Sequence, residues 1–135
     1  MTAGYSGTPL ARKLGLREGD RVALIGAPDG FEALLKPLPE GVTLLSRATA
    51  SLDAILFVVT RRADVERRHA SLASRLTPAG MLWLAWPKRA SGVLTDVTEN
   101  VLREVILPGG MVDTKVCAID ETWSGLRFVR RKELR

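Results

Sequence analysis

The stretch D-R-V-A-L-I-G-A-P-D-G-F-E at residues 20–32 decides the predicted fold. Within it, Arg21–Ile25 is a short apolar run that we predict to be a buried parallel strand. Residues 26–30 then form a tight loop, and a helix is predicted to begin at Phe31 with Asp29 as its N-cap. A strand, a glycine loop and a helix start in this order are typical of the first βα unit of a doubly wound α/β domain.

The length and composition fit one globular domain. The chain has 135 residues, of which 46% are hydrophobic and 26% are charged. No apolar run approaches the roughly 20 residues of a membrane helix, and residues 1–8 lack the order of a signal peptide. Cys117 is the only cysteine, which excludes an intrachain disulfide. We therefore expect a single Rossmann-like domain over residues 1–135, with residues 1–19 as an N-terminal arm and short helix, in the cytoplasm.

The chain is basic, with a net charge of +5. Arginine accounts for 15 of its 20 basic residues. The basic groups are spread along the chain, at Arg61 and Arg62, Arg67 and Arg68, and residues 130–132. Aromatic residues make up only 5%, which is too few for a surface that stacks bases. We expect no sequence-specific nucleic-acid binding and no membrane binding. A protein partner and a small anionic ligand both remain open.

The rest of the chain alternates apolar runs with amphipathic helices. Strands are predicted at residues 42–45, 54–59, 81–86, 114–119 and 126–130, and helices at residues 8–14, 65–76 and 96–105. Thr8 and Asp96 are the predicted caps of the first and last of these helices, and residues 77–80 are the predicted end of the middle one. We predict a three-layer α/β sandwich, Rossmann-like, with a mainly parallel sheet of about six strands that ends in an antiparallel pair.

The order of the strands follows from their burial. The runs at 21–25, 54–59 and 81–86 are almost wholly apolar, so we expect these strands to be parallel and adjacent at the centre of the sheet. The strand at 42–45 is expected beside them, although its return connection to the central strand is short.

The chain contains one histidine and one cysteine as candidate catalytic residues. His69 is the only histidine and lies on the apolar side of its helix, where we expect it to donate to a carbonyl. Cys117 is expected to be buried in a strand, and no spacing typical of a metal site, a nucleophile elbow or a phosphate-binding loop occurs. Trp83 is expected in the core and Trp86 on the opposite face, while Trp123 would cover a sheet edge or contact a partner.

Three passages resemble the S-adenosylmethionine-dependent methyltransferase fold, whose parallel sheet ends in an antiparallel pair. They are the first strand with its glycine loop, D-A-I-L at residues 53–56, and L-T-P-A-G-M-L-W-L at residues 76–84. The resemblance implies a Rossmann-like frame, S-adenosylmethionine as cofactor and methyl transfer as reaction. It covers most of the chain after Gly15.

The chain departs from that family where the cofactor would bind. The family's first strand ends in acidic-x-Gly-x-Gly-x-Gly, whereas Leu24 and Pro28 stand here at the acidic and middle glycine positions. The second strand ends in Ser46 and Arg47 instead of a carboxylate, and one strand-helix unit is missing. The first interpretation is therefore a non-catalytic binding or regulatory module with no cofactor. The alternative is a small S-adenosylmethionine-dependent methyltransferase with an atypical cofactor loop.

A second resemblance extends over nearly the full length. Residues 4–15, 86–99 and 112–129 are similar to an uncharacterised bacterial family, a domain of unknown function. This resemblance implies no activity, cofactor or catalytic residue.

In open α/β sheets, ligands bind outside the carboxyl ends of the strands where the winding reverses. For this chain that point lies between the first strand and the central one, and we predict a crevice there for a small anionic or nucleotide-like ligand. The alternative is that the glycine loop only shapes a tight turn. The candidate site residues are Gly26, Pro28, Asp29, Gly30, Thr60, Arg61, Trp86 and Lys88.

Overall fold

The computed structural model describes residues 8–135, which form a six-stranded sheet with helices on both faces. The strands are β1 (Arg21–Ile25), β2 (Thr43–Leu45), β3 (Leu52–Val58), β4 (Leu76–Pro87), β5 (Met111–Ala118) and β6 (Trp123–Arg130). The α-helices are α1 (Leu10–Lys13), α2 (Arg62–Ala73) and α3 (Glu99–Ile106), and short 3-10 turns lie at Phe31–Leu35, Arg89–Ser91, Leu107–Gly109 and Lys132–Leu134. Residues 1–7 of the predicted arm lie outside the described residues.

The order of strands across the sheet is β2-β1-β3-β4-β6-β5. β1, β3 and β4 are parallel neighbours, as predicted from their apolar runs, and β2 is parallel to β1 at the edge. β6 runs antiparallel to both β4 and β5, which confirms the closing antiparallel pair. Because the chain winds outward from β1 to β2 and then returns to β3, its winding reverses between β1 and β3.

The core has two layers because β3 is buried on both faces. Ile55 and Phe57 point to the face covered by α2 and α3, which we call the α2 face. Ala54 and Leu56 point to the face covered by α1 and the 3-10 turn at Phe31–Leu35, which we call the α1 face. Alternation of this kind is what an apolar strand needs when helices cover both sides.

The tryptophans of β4 also divide between the two layers. Trp83 lies on the α1 face, where its indole N–H donates to the Leu14 carbonyl at 2.9 Å. Trp86 lies on the α2 face, as predicted from its separation of three residues from Trp83 along the strand.

The connection from β2 to β3, residues 46–51, contains no helix. Leu45 and Ala48 pack against the core of the α2 face, so this link crosses β1 on that face as irregular chain. The Arg21 side chain donates to the Thr49 hydroxyl at 3.3 Å, and Ser51 turns the chain into β3 with a φ of 61°. The strand-helix unit expected from the methyltransferase resemblance is absent, as predicted.

The helix predicted at Phe31 is wrong in type and in its cap. Only the 3-10 turn Phe31–Leu35 forms, and the N-cap position is occupied by Gly30, whose φ is 85°. This left-handed residue turns the chain before the helix begins, so the Asp29 carboxylate makes no capping hydrogen bond. The i+3 bond from Ala33 N–H to the Gly30 carbonyl at 3.2 Å fixes the tighter turn.

The other predicted helix boundaries also need correction. α1 begins at Leu10 without a side-chain cap from Thr8, because Pro9 holds the N-cap position. α3 is capped by Thr98, whose hydroxyl accepts from the Val101 N–H at 3.1 Å, and not by Asp96. Residues 77–80 lie in β4 and do not end a helix, because the strand already pairs with β3 from its first residue.

The glycine after β1 gives the first testable prediction. A side-chain carbon at position 26 would lie 2.6 Å from the Val58 carbonyl oxygen, whereas one at position 30 has open space around it. Both glycines have positive φ, so alanine at either position costs roughly 1 to 2 kcal/mol of backbone strain. We expect Gly26→Ala to lower the free energy of unfolding by about 1 to 3 kcal/mol more than Gly30→Ala, because its loop must also move. Urea denaturation of both variants measures this; equal losses would contradict the close packing.

Candidate functional site

The predicted crevice lies where the loop after β1 meets the end of β3. Gly26, with a φ of 73°, passes directly against the Val58 carbonyl. Thr60 follows two residues after Val58, so the structure brings the loop and Thr60 to the same point of the sheet. This point is also where the winding reverses, which is the place where ligands bind in open α/β sheets.

The loop presents free hydrogen-bond donors. Within residues 8–135 the backbone N–H groups of Ala27, Asp29 and Gly30 donate to no protein acceptor. The Pro28 carbonyl is occupied by the Phe31 N–H at 3.1 Å, which holds the loop closed. Successive free N–H groups next to left-handed glycines form a concavity suited to negatively charged or carbonyl oxygens.

The other wall of the crevice is tied to the segment after β4. The Thr95 hydroxyl donates to the Thr60 carbonyl at 2.7 Å. The Asp96 carboxylate accepts from the Arg62 N–H, at the first residue of α2, at 2.7 Å. Arg61 stays exposed and lies 3.6 Å from the Asp64 carboxylate, in a surface ion pair that solvent screens strongly.

The sequence gives no signal for the role of Thr95, and it predicts the wrong role for Asp96. With Glu99 three residues later, Asp96 is predicted to cap the helix that follows it, but it instead caps α2, which comes earlier in the chain. Only the tertiary fold shows which helix start a side chain can reach.

Trp86 and Lys88 are placed differently from each other. Trp86 is 8% exposed and packs in the core of the α2 face, so its ring offers the crevice little surface. Lys88 is half-buried, and its backbone N–H donates to the Thr122 carbonyl at 2.7 Å. The aromatic contact at this edge is made instead by Trp123, whose ring meets that of Phe31 edge-on at 5.8 Å on the α1 face.

A cavity of about 410 Å³, which we call the arginine cleft, lies on the α2 face of the sheet next to the predicted crevice. It opens beside the carboxyl ends of β1 and β2 and is lined by Ile25, Ser46, Arg47, Ala48, Arg67, Arg68, Ser71, Leu72 and Arg75. The sequence contained a signal for it: Arg68, Leu72 and Arg75 recur at helical spacing within the predicted helix at residues 65–76, although α2 itself ends at Ala73. A second cavity, of about 340 Å³, lies between α1 and the strands β4 and β6.

The side chains with catalytic potential are structural. His69 bonds through Nδ1 to the Val65 carbonyl at 2.9 Å, as predicted. Cys117 is buried, and burial raises the pKa of its thiol while Lys115 and Lys13 partly offset the rise. Residues 8–135 contain no cluster of three or more His, Cys, Asp or Glu side chains that could hold a metal ion. His69 and Cys117 therefore have structural roles in the described residues.

Comparisons with known proteins identify the fold. No family model and no curated protein matches the chain in sequence. Among solved structures, it is similar to a SAM-dependent methyltransferase from Aquifex aeolicus, with a TM-score of 0.66, 15% identity, and coverage of 87% of this chain and 85% of that one. It is also similar to a SAM-dependent O-methyltransferase from Thermotoga maritima, with a TM-score of 0.63, 12% identity and coverage of 98% and 68%.

A third similar structure contains the cofactor. Magnesium protoporphyrin IX methyltransferase from Synechocystis, with bound SAM, matches with a TM-score of 0.61, 14% identity and coverage of 90% and 74%. At these identities the similarity shows the fold alone, so the chain has the methyltransferase-like Rossmann fold. Among the described residues no helix is both long and apolar enough to cross a membrane.

The cap supplied by Asp96 gives the second testable prediction. Asp96→Ala removes the acceptor at the start of α2, and we expect a loss of about 1 kcal/mol of unfolding free energy. Asp29→Ala is the matched control, because that carboxylate caps no helix, and it should change stability by less than about 0.5 kcal/mol. Thermal and urea unfolding compare the two. A larger loss of unfolding free energy from Asp29→Ala than from Asp96→Ala would show that Asp29, and not Asp96, is the stabilising cap in solution.

Proposed function

We propose that this chain binds S-adenosylmethionine at the carboxyl ends of β1 and β3 and acts as a small methyltransferase with an atypical cofactor loop. The observation that carries the proposal is the loop after β1, which presents free N–H groups where the winding of a methyltransferase-like sheet reverses. Similarity to methyltransferases, one of them with bound SAM, supports the same ligand.

The loop after β1 fits the cofactor better than the end of β2 does. The free N–H groups of Ala27 and Gly30 suit the acceptor atoms of S-adenosylmethionine. Arg47 stands where the resembling family has a carboxylate, so the acceptor available to ribose hydroxyls is the exposed Ser46 hydroxyl. Leu24 at the acidic position of β1 adds no acceptor.

The chemistry of methyl transfer makes modest demands on the chain. When bound, S-adenosylmethionine supplies a methyl group on a sulfonium that the acceptor's nucleophile attacks directly. The protein's part is to bind and align the two reactants, which is worth a large rate factor by itself. Arg61 and Lys88 lie at the carboxyl edge of the sheet and are the cations closest in sequence to the ends of β3 and β4, where they can orient an anionic acceptor.

A second candidate function is a non-catalytic binding or regulatory module without the cofactor, in contact with a protein partner. Leu24 and Arg47 favour it, because neither side chain can accept a hydrogen bond from the cofactor. Under both functions we place the protein in the cytoplasm, where a single buried thiol stays reduced.

Calorimetric titration with S-adenosylmethionine tests the proposal. We expect binding, and at about 100 times the dissociation constant the ligand should stabilise the fold by roughly 2.7 kcal/mol in a thermal unfolding assay. Ser46→Ala should weaken this binding, because it removes the acceptor at the end of β2. Ser74→Ala, just after the far end of α2, is the control and should leave binding unchanged.

Two outcomes would decide against the proposal as stated. If neither S-adenosylmethionine nor S-adenosylhomocysteine shifts the unfolding temperature at millimolar concentration, the binding module replaces the methyltransferase. If both bind but Ser46→Ala binds as tightly as the parent chain, the cofactor does not contact the end of β2.

A further inference from the structure

We propose that the arginine cleft is a binding site for a small phosphate-bearing ligand of nucleotide size that carries two or more phosphates. This inference does not rest on the proposed function, because S-adenosylmethionine contains no phosphate and Arg67, Arg68 and Arg75 of the cleft take no part in that proposal; the two sites share Ser46 at the end of β2. It stands on the path of the backbone, the positions of four arginines and the chemistry of the cleft's lining.

The cleft exists because the link from β2 to β3 contains no helix. Residues 46–51 cross β1 without a helix, and they are held near the start of β1 by the contact between Arg21 and Thr49. α2 stands on the same face of the sheet at a distance that leaves the cavity between them. Ile25, the last residue of β1, lies among the lining residues, so the cleft reaches the carboxyl edge of the sheet.

The wall formed by α2 carries arginines whose positions are partly fixed. The Arg68 guanidinium lies 5.6 Å from the centre of the Phe57 ring, a cation–π contact that holds it over the sheet. Arg75 lies just beyond α2, two residues after its last residue Ala73, in the turn before β4. Arg67 binds the Asp64 carboxylate through Nη2 at 2.8 Å, which leaves the other N–H groups of its guanidinium free to donate.

The charge of the cleft is unbalanced. Its lining contains four arginines and no carboxylate. Among the described residues, Arg47, Arg68 and Arg75 form no ion pair within 4.0 Å, while Arg67 shares Asp64 with Arg61. Like charges in one concavity raise the local potential and draw in an anion. The planar guanidinium fork matches phosphate oxygens bidentately, and several forks in one site suit more than one phosphate.

The remaining lining indicates the size and type of ligand. The exposed hydroxyls of Ser46 and Ser71 can donate to further phosphate oxygens. Ile25, Ala48 and Leu72 supply an apolar portion that a base or another ring can cover. The volume of about 410 Å³ falls in the range of small-molecule sites.

A long polyanion is a poorer match than a small ligand. The second arginine-lined cavity lies on the opposite face of the sheet, among residues of α1, β4 and β6, so the two do not form one continuous track. The observations therefore favour a nucleoside diphosphate or triphosphate over a polynucleotide.

A matched pair of double variants tests the site. Arg47→Gln with Arg75→Gln removes two charges from the cleft, and Arg89→Gln with Arg131→Gln removes two exposed charges outside it. ADP, ATP and inorganic pyrophosphate are the probes in calorimetry. We expect ATP to bind the parent chain, pyrophosphate to compete with it, and the cleft variant to bind at least about tenfold more weakly. The control variant should stay within about twofold of the parent, because net charge alone has a small effect on a short-range contact.

Ser71→Asp is a second variant that places a carboxylate in the cleft wall at an exposed helix position and should also abolish ATP binding. Loss of affinity in both double variants alike would overturn the proposal, because it would show non-specific attraction to net charge. No binding of any probe to the parent chain would overturn it as well. Binding of single-stranded RNA that depends on Arg47 and Arg75, without binding of ATP, would replace the small ligand with a polynucleotide. Each of these outcomes is measured without S-adenosylmethionine, so a failure here leaves the calorimetric test of cofactor binding standing.

Discussion

At the end of β1 the backbone passes the Val58 carbonyl at a distance that leaves no room for a side chain. The left-handed turn at Gly26 makes the passage possible, because glycine adopts positive φ at little cost. The chain then crosses the carboxyl edge toward the α1 face, where the Phe31 ring contacts the Trp123 ring of β6. In the sheet, β3 and β4 lie between β1 and β6. The crevice, its free N–H groups and the aromatic contact on one side of it all depend on this close approach of two backbones.

α2 extends from the predicted crevice to the arginine cleft. Its first N–H is held by Asp96 from the segment after β4, and its later turns carry Arg67 and Arg68 of the cleft. Val65 and Leu72 bury the helix against the sheet between these two ends.

The central sheet could be predicted because β1, β3 and β4 are buried on both faces, which leaves a continuous apolar run in the sequence. The helix caps could not be predicted, because Asp29 and Asp96 are both followed by a glutamate three residues later. Only the tertiary fold decides that Asp96 reaches the start of α2. The position of Trp86 in the core was likewise hidden, since a strand end is compatible with exposure or burial. The cleft was missed because one of its walls, around Arg47, is a link whose path no local pattern specifies.

The missing strand-helix unit leaves β2 as one border of the sheet, and this strand has only three residues, Thr43–Leu45. So few unpaired amides offer another chain a poor template for strand addition. The opposite border, β5, is longer but has an irregularity between Asp113 and Lys115 that interrupts its regular edge, with a charged residue on either side. The two borders of this six-stranded sheet therefore both resist edge-to-edge association, so a smaller sheet need not be a more aggregation-prone one.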